Sequence, residues 1–337
     1  MKYLRSVTLS SLVVVVMFSL FLFSSSHAQP IIKIDGSSTV FPLTEGIAEE
    51  FQKAKKGAVK VTVGVSGTGG GFKRFCRGET QISNASRPIL KKEIEACREA
   101  GIRYIELPVA YDALSVFVNP KNNWIKNDCI STEELKKMWE PDAQGKITKW
   151  NQVDPSWPDR PLKLAGPGAD SGTFDYFTEA VAGKAKASRG DYVASEDDHV
   201  IMTAVIKDAH ALGYVGLSYI LENRDKVKPL KVKNNKGVCV EPTETTVKDG
   251  SYNPLSRPLF IYVNEKAVKE RPEVREFVDY YLKNASKIAK QVKMVPLPDH
   301  AYKMASERFS KMQVGTVFGG ELQVGLTVEE LLKRELK

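Results

Sequence analysis

The sequence predicts an α/β protein arranged as two lobes, and three observations carry that expectation. Short apolar segments of strand length alternate with longer amphipathic stretches of helical period, a pattern that sets helices against sheets. The chain has 337 residues, more than one hydrophobic core of ordinary size fills, so two lobes of roughly 100–150 residues each are expected. Two apolar segments far apart in the chain, DALSVFVN at 112–119 and SRPLFIYVN at 256–264, both close on Val-Asn. They fit a chain that leaves one lobe, builds a second, and returns through a second crossing strand. The composition, 42% hydrophobic and 27% charged, excludes a disordered or low-complexity chain.

Residues 1–28 read as an export leader. Lys2 and Arg5 open it, 12–23 is apolar, and Ser26-His27-Ala28 offers a small-residue cleavage site. The apolar stretch is shorter than the roughly 20 residues that span a bilayer, so the leader is expected to be removed near Ala28. The mature chain is then exported, to the periplasm. Two of the eight excess positive charges leave with the leader, and the remaining lysines are interspersed with acids, with no basic run of five. Nucleic-acid binding is therefore not expected. Cys76, Cys97, Cys129 and Cys239 are an even number in an exported chain without a C-x-x-C pair, which favours two disulfides. Of the three possible connectivities, local loop closure favours Cys76–Cys97 with Cys129–Cys239.

Within the mature chain, a strand at 31–34 precedes a helix at 43–53, and a strand at 59–65 precedes helical sequence around 72–77. Further strands are expected at 102–107, 113–118, 162–165 and 259–263. Helices are expected at 131–139, capped by Ser131 with Glu133 and Glu134 in the first turn, at 173–181, and at 272–285, opened by Pro272. The Pro-, Asn-, Asp- and Gly-rich stretches 119–128, 151–161 and 234–252 read as surface loops.

Three small, hydroxyl-rich clusters each follow a strand and open a helix. They are DGSSTV at 35–40, with Ser38, Thr39 and Val40; SGTGGG at 66–71, with Ser66 and Thr68; and GPGADSGT at 166–173, with Asp170, Ser171, Gly172 and Thr173. Glycine lets a ligand approach the backbone, unpaired N–H groups at a helix start point outward, and the hydroxyls add donors. One such loop is ordinary capping composition; three together point to an enclosed oxyanion. Arg87, in SNASRP at 83–88, offers planar paired donors for the same anion. The second cluster lacks a P-loop ending and none fits a dinucleotide fingerprint. There is no Gly-x-Ser-x-Gly elbow, and His199, His210 and His300 lack metal-ligand spacing. No cofactor and no catalytic centre are expected. A serine-dependent phosphatase or other hydrolase using one of the hydroxyl loops is the alternative of a different class.

At these clusters the chain resembles the phosphate-binding protein of bacterial phosphate ABC transporters, a type II periplasmic solute-binding protein. The likeness runs from about Ile31 to Val295 and is carried by IDGSSTVFPLTEGIAEEF, VGVSGTGGGFKRFCRGETQISNASRPI, LPVAYDALSVFVN, GPGADSGTFDYFTEA and LSRPLFIYVN. It implies two α/β lobes, each a mixed sheet flanked by helices, joined by a two-strand hinge near 113–118 and 258–263. Lobe one would hold 29–113 and 256–337, and lobe two 114–255. It implies a monomer that binds inorganic phosphate between the lobes and delivers it to a membrane permease with its ATPase. Thr39 and the Val40 N–H with Ser38, Thr68 with Ser66, and Ser171, Gly172 and Thr173 are the ligands it suggests. The best-known form of that family has an aspartate where Arg87 stands and an arginine where Pro167 stands. The likeness thus moves the arginine to Arg87 and calls for a proton-accepting carboxylate elsewhere: Asp170 first, with Asp112 and Asp35 behind it. Another oxyanion, such as sulfate, tungstate or arsenate, is the alternative within the same fold.

Overall fold

The computed structural model describes residues 29–321, together with Leu331 and Arg334. The expected leader, residues 1–28, lies outside the described residues. The chain opens with β1 (Ile31–Gly36), α1 (Phe41–Ala54), β2 (Lys60–Val63), α2 (Gly67–Cys76), β3 (Ile82–Ala85) and α3 (Lys91–Glu99). β1 lies between β2 and β3 and is parallel to both, as helical crossovers require. Then comes β4 (Tyr104–Val118), buried along its whole length. The sequence predicts two strands here, at 102–107 and 113–118. They are one, because Pro108, which cannot donate to the ladder, sits at a register shift opposite Phe260 rather than ending the strand.

The middle of the chain holds β5 (Cys129–Ile130), α4 (Thr132–Trp139), β6 (Lys163–Pro167), α5 (Gly172–Ala182), β7 (Val193–Ser195), α6 (Asp198–Lys207), β8 (Ala211–Gly216) and α7 (Leu217–Glu222). After these come β9 (Lys228–Pro229), β10 (Lys231–Lys233), β11 (Cys239–Val240) and α8 (Glu244–Lys248), then β12 (Ser256–Asn264), α9 (Glu265–Glu270), α10 (Pro272–Gln291) and α11 (Asp299–Ser310). Ser131 caps α4 as expected, in a reciprocal box with Glu134. Pro272 opens α10, which runs past the predicted end at 285 because its apolar stripe continues through Ile288 and Ala289. The expected loop at 234–252 carries β11 and α8 inside it. Their brevity hides them from periodicity.

Among the described residues, the main sheet has nine strands in the order β2-β1-β3-β12-β4-β8-β6-β7, with β9 also on β4. The ladder is continuous. Residues 104–113 of β4 pair antiparallel with β12, and 114–118 pair with β8, so β4 and β12 are the central strands on which both halves of the sheet hang. Helices cover the faces: α1 packs on α10 through the edge-to-face rings of Phe51 and Phe277, 5.2 Å apart. A small sheet, β11-β10-β5, is stapled by Cys129–Cys239, and Cys76–Cys97 joins the end of α2 to α3. Both pairings are those the loop lengths favour.

Candidate functional site

The three small-residue clusters converge at the ends of β1, β2 and β6. Gly36 ends β1 at φ 138°, and a Cβ there would meet the Asn84 carbonyl oxygen at 2.2 Å, so only glycine lets the first cluster lie against β3. Ser38, Thr39 and Val40 are buried at the start of α1, which has Pro42 in its first turn and no side-chain cap. The helix therefore presents its orphan N–H end toward the cluster. Thr39 Oγ1 lies 3.0 Å from Thr173 Oγ1, at the start of α5. In the second cluster Thr68 is buried, its Oγ1 3.1 Å from Ser86 Oγ and accepting the Ser86 N–H at 3.1 Å. A Cβ on Gly172 would stand 2.5 Å from Thr68 Oγ1 and 2.6 Å from Ser86 Oγ. The missing side chain is thus what lets Thr68 and Ser86 pack against the start of α5.

Behind Thr173 lies a buried ion pair. Arg257 on β12 donates to Asp112 Oδ2 through Nη2 at 3.0 Å and Nε at 3.3 Å; the two residues are 1% and 5% exposed in the side chain. They are direct partners in the β4–β12 register. Arg257 also reaches the Gly172 carbonyl at 2.8 Å and Thr173 Oγ1 at 2.7 Å. Asp112 Oδ1 accepts the Leu217 N–H at the start of α7, at 3.3 Å. A carboxylate thus fixes the guanidinium against the hydroxyl cluster. Asp198, the first residue of α6, is also buried here. Burial pushes its carboxyl up to about 7, against a hydrogen bond from Ser38 and with Asp112 adding to the rise.

Other residues expected in the site have their polar atoms engaged elsewhere. Arg87 is buried, but its guanidinium is clamped by Glu93 at 2.7 and 2.8 Å, by Asp175 at 2.6 Å and by the Pro88 carbonyl at 2.9 Å. Ser66 donates to Asp35 at 2.6 Å, and Asp35 in turn holds Arg74 at 2.5 Å. Asp170 faces solvent, 42% exposed, with Lys73 2.9 Å from both its oxygens. Ser171 caps α5, accepting the N–H groups of Thr173 and Phe174, which leaves its own hydroxyl hydrogen to donate. Arg257, Ser86 and Asp198 were missed by sequence reasoning. For Arg257 the signal was there: Asp112 and Arg257 lie near the starts of the two Val-Asn segments.

Donors from uncapped helix starts, four hydroxyls and a carboxylate-anchored arginine can desolvate an oxyanion; they supply no nucleophile with its base. His199 rests edge-on to the Tyr219 ring, and no metal-ligating cluster occurs among the described residues. The fold is that of the periplasmic solute-binding class. The chain belongs to the PBP superfamily: residues 24–285 match the profile of the PBP superfamily domain. It is 53% identical to the protein SphX of Synechococcus elongatus, over 94% of this chain and 93% of that one. It is 40% identical to the phosphate-binding protein PstS of Staphylococcus saprophyticus, over 83% and 84%. The crystal structure of a candidate phosphate ABC transporter substrate-binding protein from Clostridium perfringens, with bound phosphate, superposes with a TM-score of 0.66 at 28% identity, covering 80% of this chain and all of that one. The PstS protein and the Clostridium perfringens protein are named for binding.

Proposed function

We propose that this chain is an extracytoplasmic receptor that binds inorganic phosphate and hands it to an ABC-type importer. The observation that carries the reading is the Arg257–Asp112 pair aimed at the Gly172–Thr173 start of α5, where the hydroxyls of Thr39, Thr68 and Ser86 meet. Phosphate sits among these groups, with the N–H end of α1 at Val40 and the Ser171 hydroxyl completing the set. Arg257 takes the role that the sequence assigns to Arg87. Arg87 positions the neighbouring Ser86 instead, tied by Glu93 and Asp175.

Two lobes then follow β4 and β12: 29–113 with 256–337, and 114–255, hinged where β4 changes partner from β12 to β8. Several contacts bridge them, among them Thr39 to Thr173, the Gly69 N–H to the Asp170 carbonyl at 2.8 Å, Lys73 to Asp170, and Arg87 to Asp175. They support reading this as a closed form, with closure around ligand the expected motion. Of the three carboxylates considered for the phosphate proton, Asp35 is held by Arg74 and Asp170 faces Lys73 in solvent, so Asp112 alone belongs to the site, as the anchor of Arg257. Equilibrium dialysis with radiolabelled phosphate tests the reading. One saturable site is expected, weakened at least about a hundredfold in Arg257→Ala, which removes a charged donor and strands Asp112 beside the anion. Unchanged affinity in that variant would displace Arg257 from the site. Turnover of a phosphate ester would favour the hydrolase.

A further inference from the structure

We infer that Asp198 carries a proton in the phosphate site, so that phosphate captured above neutral pH is taken up together with one proton held on this carboxyl. The inference rests on the phosphate reading above. Asp198 opens α6 in the wall between the first cluster and the β6–β8 half of the sheet, 1% exposed, bonded to the Ser38 hydroxyl. Tyr219 closes the same wall, donating to the Ser38 carbonyl at 3.1 Å. Asp198 Oδ2 is buried with no hydrogen-bond partner, a state that an ionised carboxylate tolerates poorly and a neutral carboxyl tolerates well.

The charges around it point the same way. Asp112 on β4, Arg257 on β12 and the preceding Asp197 act on Asp198. Tyr219 on α7, the following His199 and, past the end of β7, Glu196 complete the titratable groups nearby. Of the strands beneath α6, β8 carries Tyr214, β7 has no titratable residue, and β6 has Lys163 at its exposed end. One guanidinium therefore answers two buried carboxyls before any ligand arrives. With both ionised, the centre is already net negative and an entering anion meets its field. With Asp198 neutral, Arg257 and Asp112 cancel, and the hydroxyl and helix dipoles meet phosphate unopposed. Burial sets the change near pH 7: the neutral form is present below that value and lost above it. A groove of about 430 Å³ lined by Ser38, Asp197, His199 and Tyr219 borders this wall and gives the proton its path to solvent.

Titration calorimetry with inorganic phosphate at pH 8, in two buffers of different ionisation enthalpy, counts the protons taken up. The wild type is expected to take up about one proton per phosphate, and Asp198→Asn about none. Between pH 7 and 8.5 wild-type affinity is expected to fall roughly tenfold or more, and that of Asp198→Asn less than about threefold. If Asp198→Asn takes up the same proton, the proton resides on phosphate and the inference fails. Ser38→Ala provides a second check, because its hydroxyl favours the ionised carboxylate: the midpoint of the affinity profile should move to lower proton demand, that is, to higher pH. An unmoved midpoint also overturns the inference. Absence of phosphate binding by the wild type at every pH would instead refute the phosphate reading beneath it.

Discussion

Gly172 is the residue on which the donor set turns. Alanine there would bring a methyl group to 2.5 Å from Thr68 Oγ1 and 2.6 Å from Ser86 Oγ, and both hydroxyls would have to rotate away. On the proposed reading each donates to the anion with a strength of about 1.5–3 kcal/mol, so losing them should weaken phosphate by about a hundredfold or more. Stability should change by only about 1 kcal/mol, since the methyl group displaces the flexible ends of side chains. Affinity and urea unfolding measured on Gly172→Ala separate the two effects; unaltered affinity would take Thr68 and Ser86 out of the site. Arg87 makes the opposite case. Arg87→Ala leaves Glu93 buried without its cation and Asp175 with only Lys186, 3.4 Å away, a loss of about 3–5 kcal/mol in unfolding free energy. Phosphate should weaken by at least about tenfold through displacement of Ser86 and loss of the Asp175 contact. If instead Arg87→Ala abolishes binding while stability is unchanged, Arg87 is a direct ligand.

At the scale of elements, the three strand-to-helix clusters were legible because glycine and hydroxyls after a strand form a local signature. So was the cap at Ser131, and so were the disulfides. The Arg257–Asp112 pair was not, because its partners are 145 residues apart and meet only through the register of β4 on β12. The surroundings of Arg87 were hidden for a related reason: residue type suggested an anion ligand, but Asp175, 88 residues away, supplies a competing carboxylate that no local pattern announces. The short strands β10 and β11 were invisible to periodicity, yet β11 carries one end of the Cys129–Cys239 bridge. That bridge closes a loop of 110 residues, and removing it as Cys129→Ser with Cys239→Ser should lower unfolding free energy by about 2–5 kcal/mol. Because neither Cys129 nor Cys239 is among the donors of the site, phosphate affinity should stay within about threefold of wild type. Denaturant unfolding and dialysis on the double variant check both parts; a larger affinity loss would tie the small sheet to the site.

At the scale of the whole molecule, the excess of positive charge, eight in the full chain and six without Lys2 and Arg5, draws anions in general and selects none. Many lysines sit in exposed pairs such as Lys248–Glu244 and Lys149–Asp159, which contribute little to stability. On the proposed reading, selection arises where β4 and β12 hold the buried Arg257–Asp112 pair. With Asp198 neutral, the carboxylate left to accept a phosphate proton is Asp112; sulfate is fully ionised and has no proton to give it, whereas phosphate keeps one. A buried acceptor left opposite another acceptor is a penalty of a few kcal/mol, on the order of a hundredfold or more in affinity. The most direct measurement is a calorimetric titration of residues 29–337 with phosphate and with sulfate at neutral pH. Micromolar or tighter phosphate binding without sulfate heat is the predicted result; equal affinities, or no phosphate binding, would contradict it.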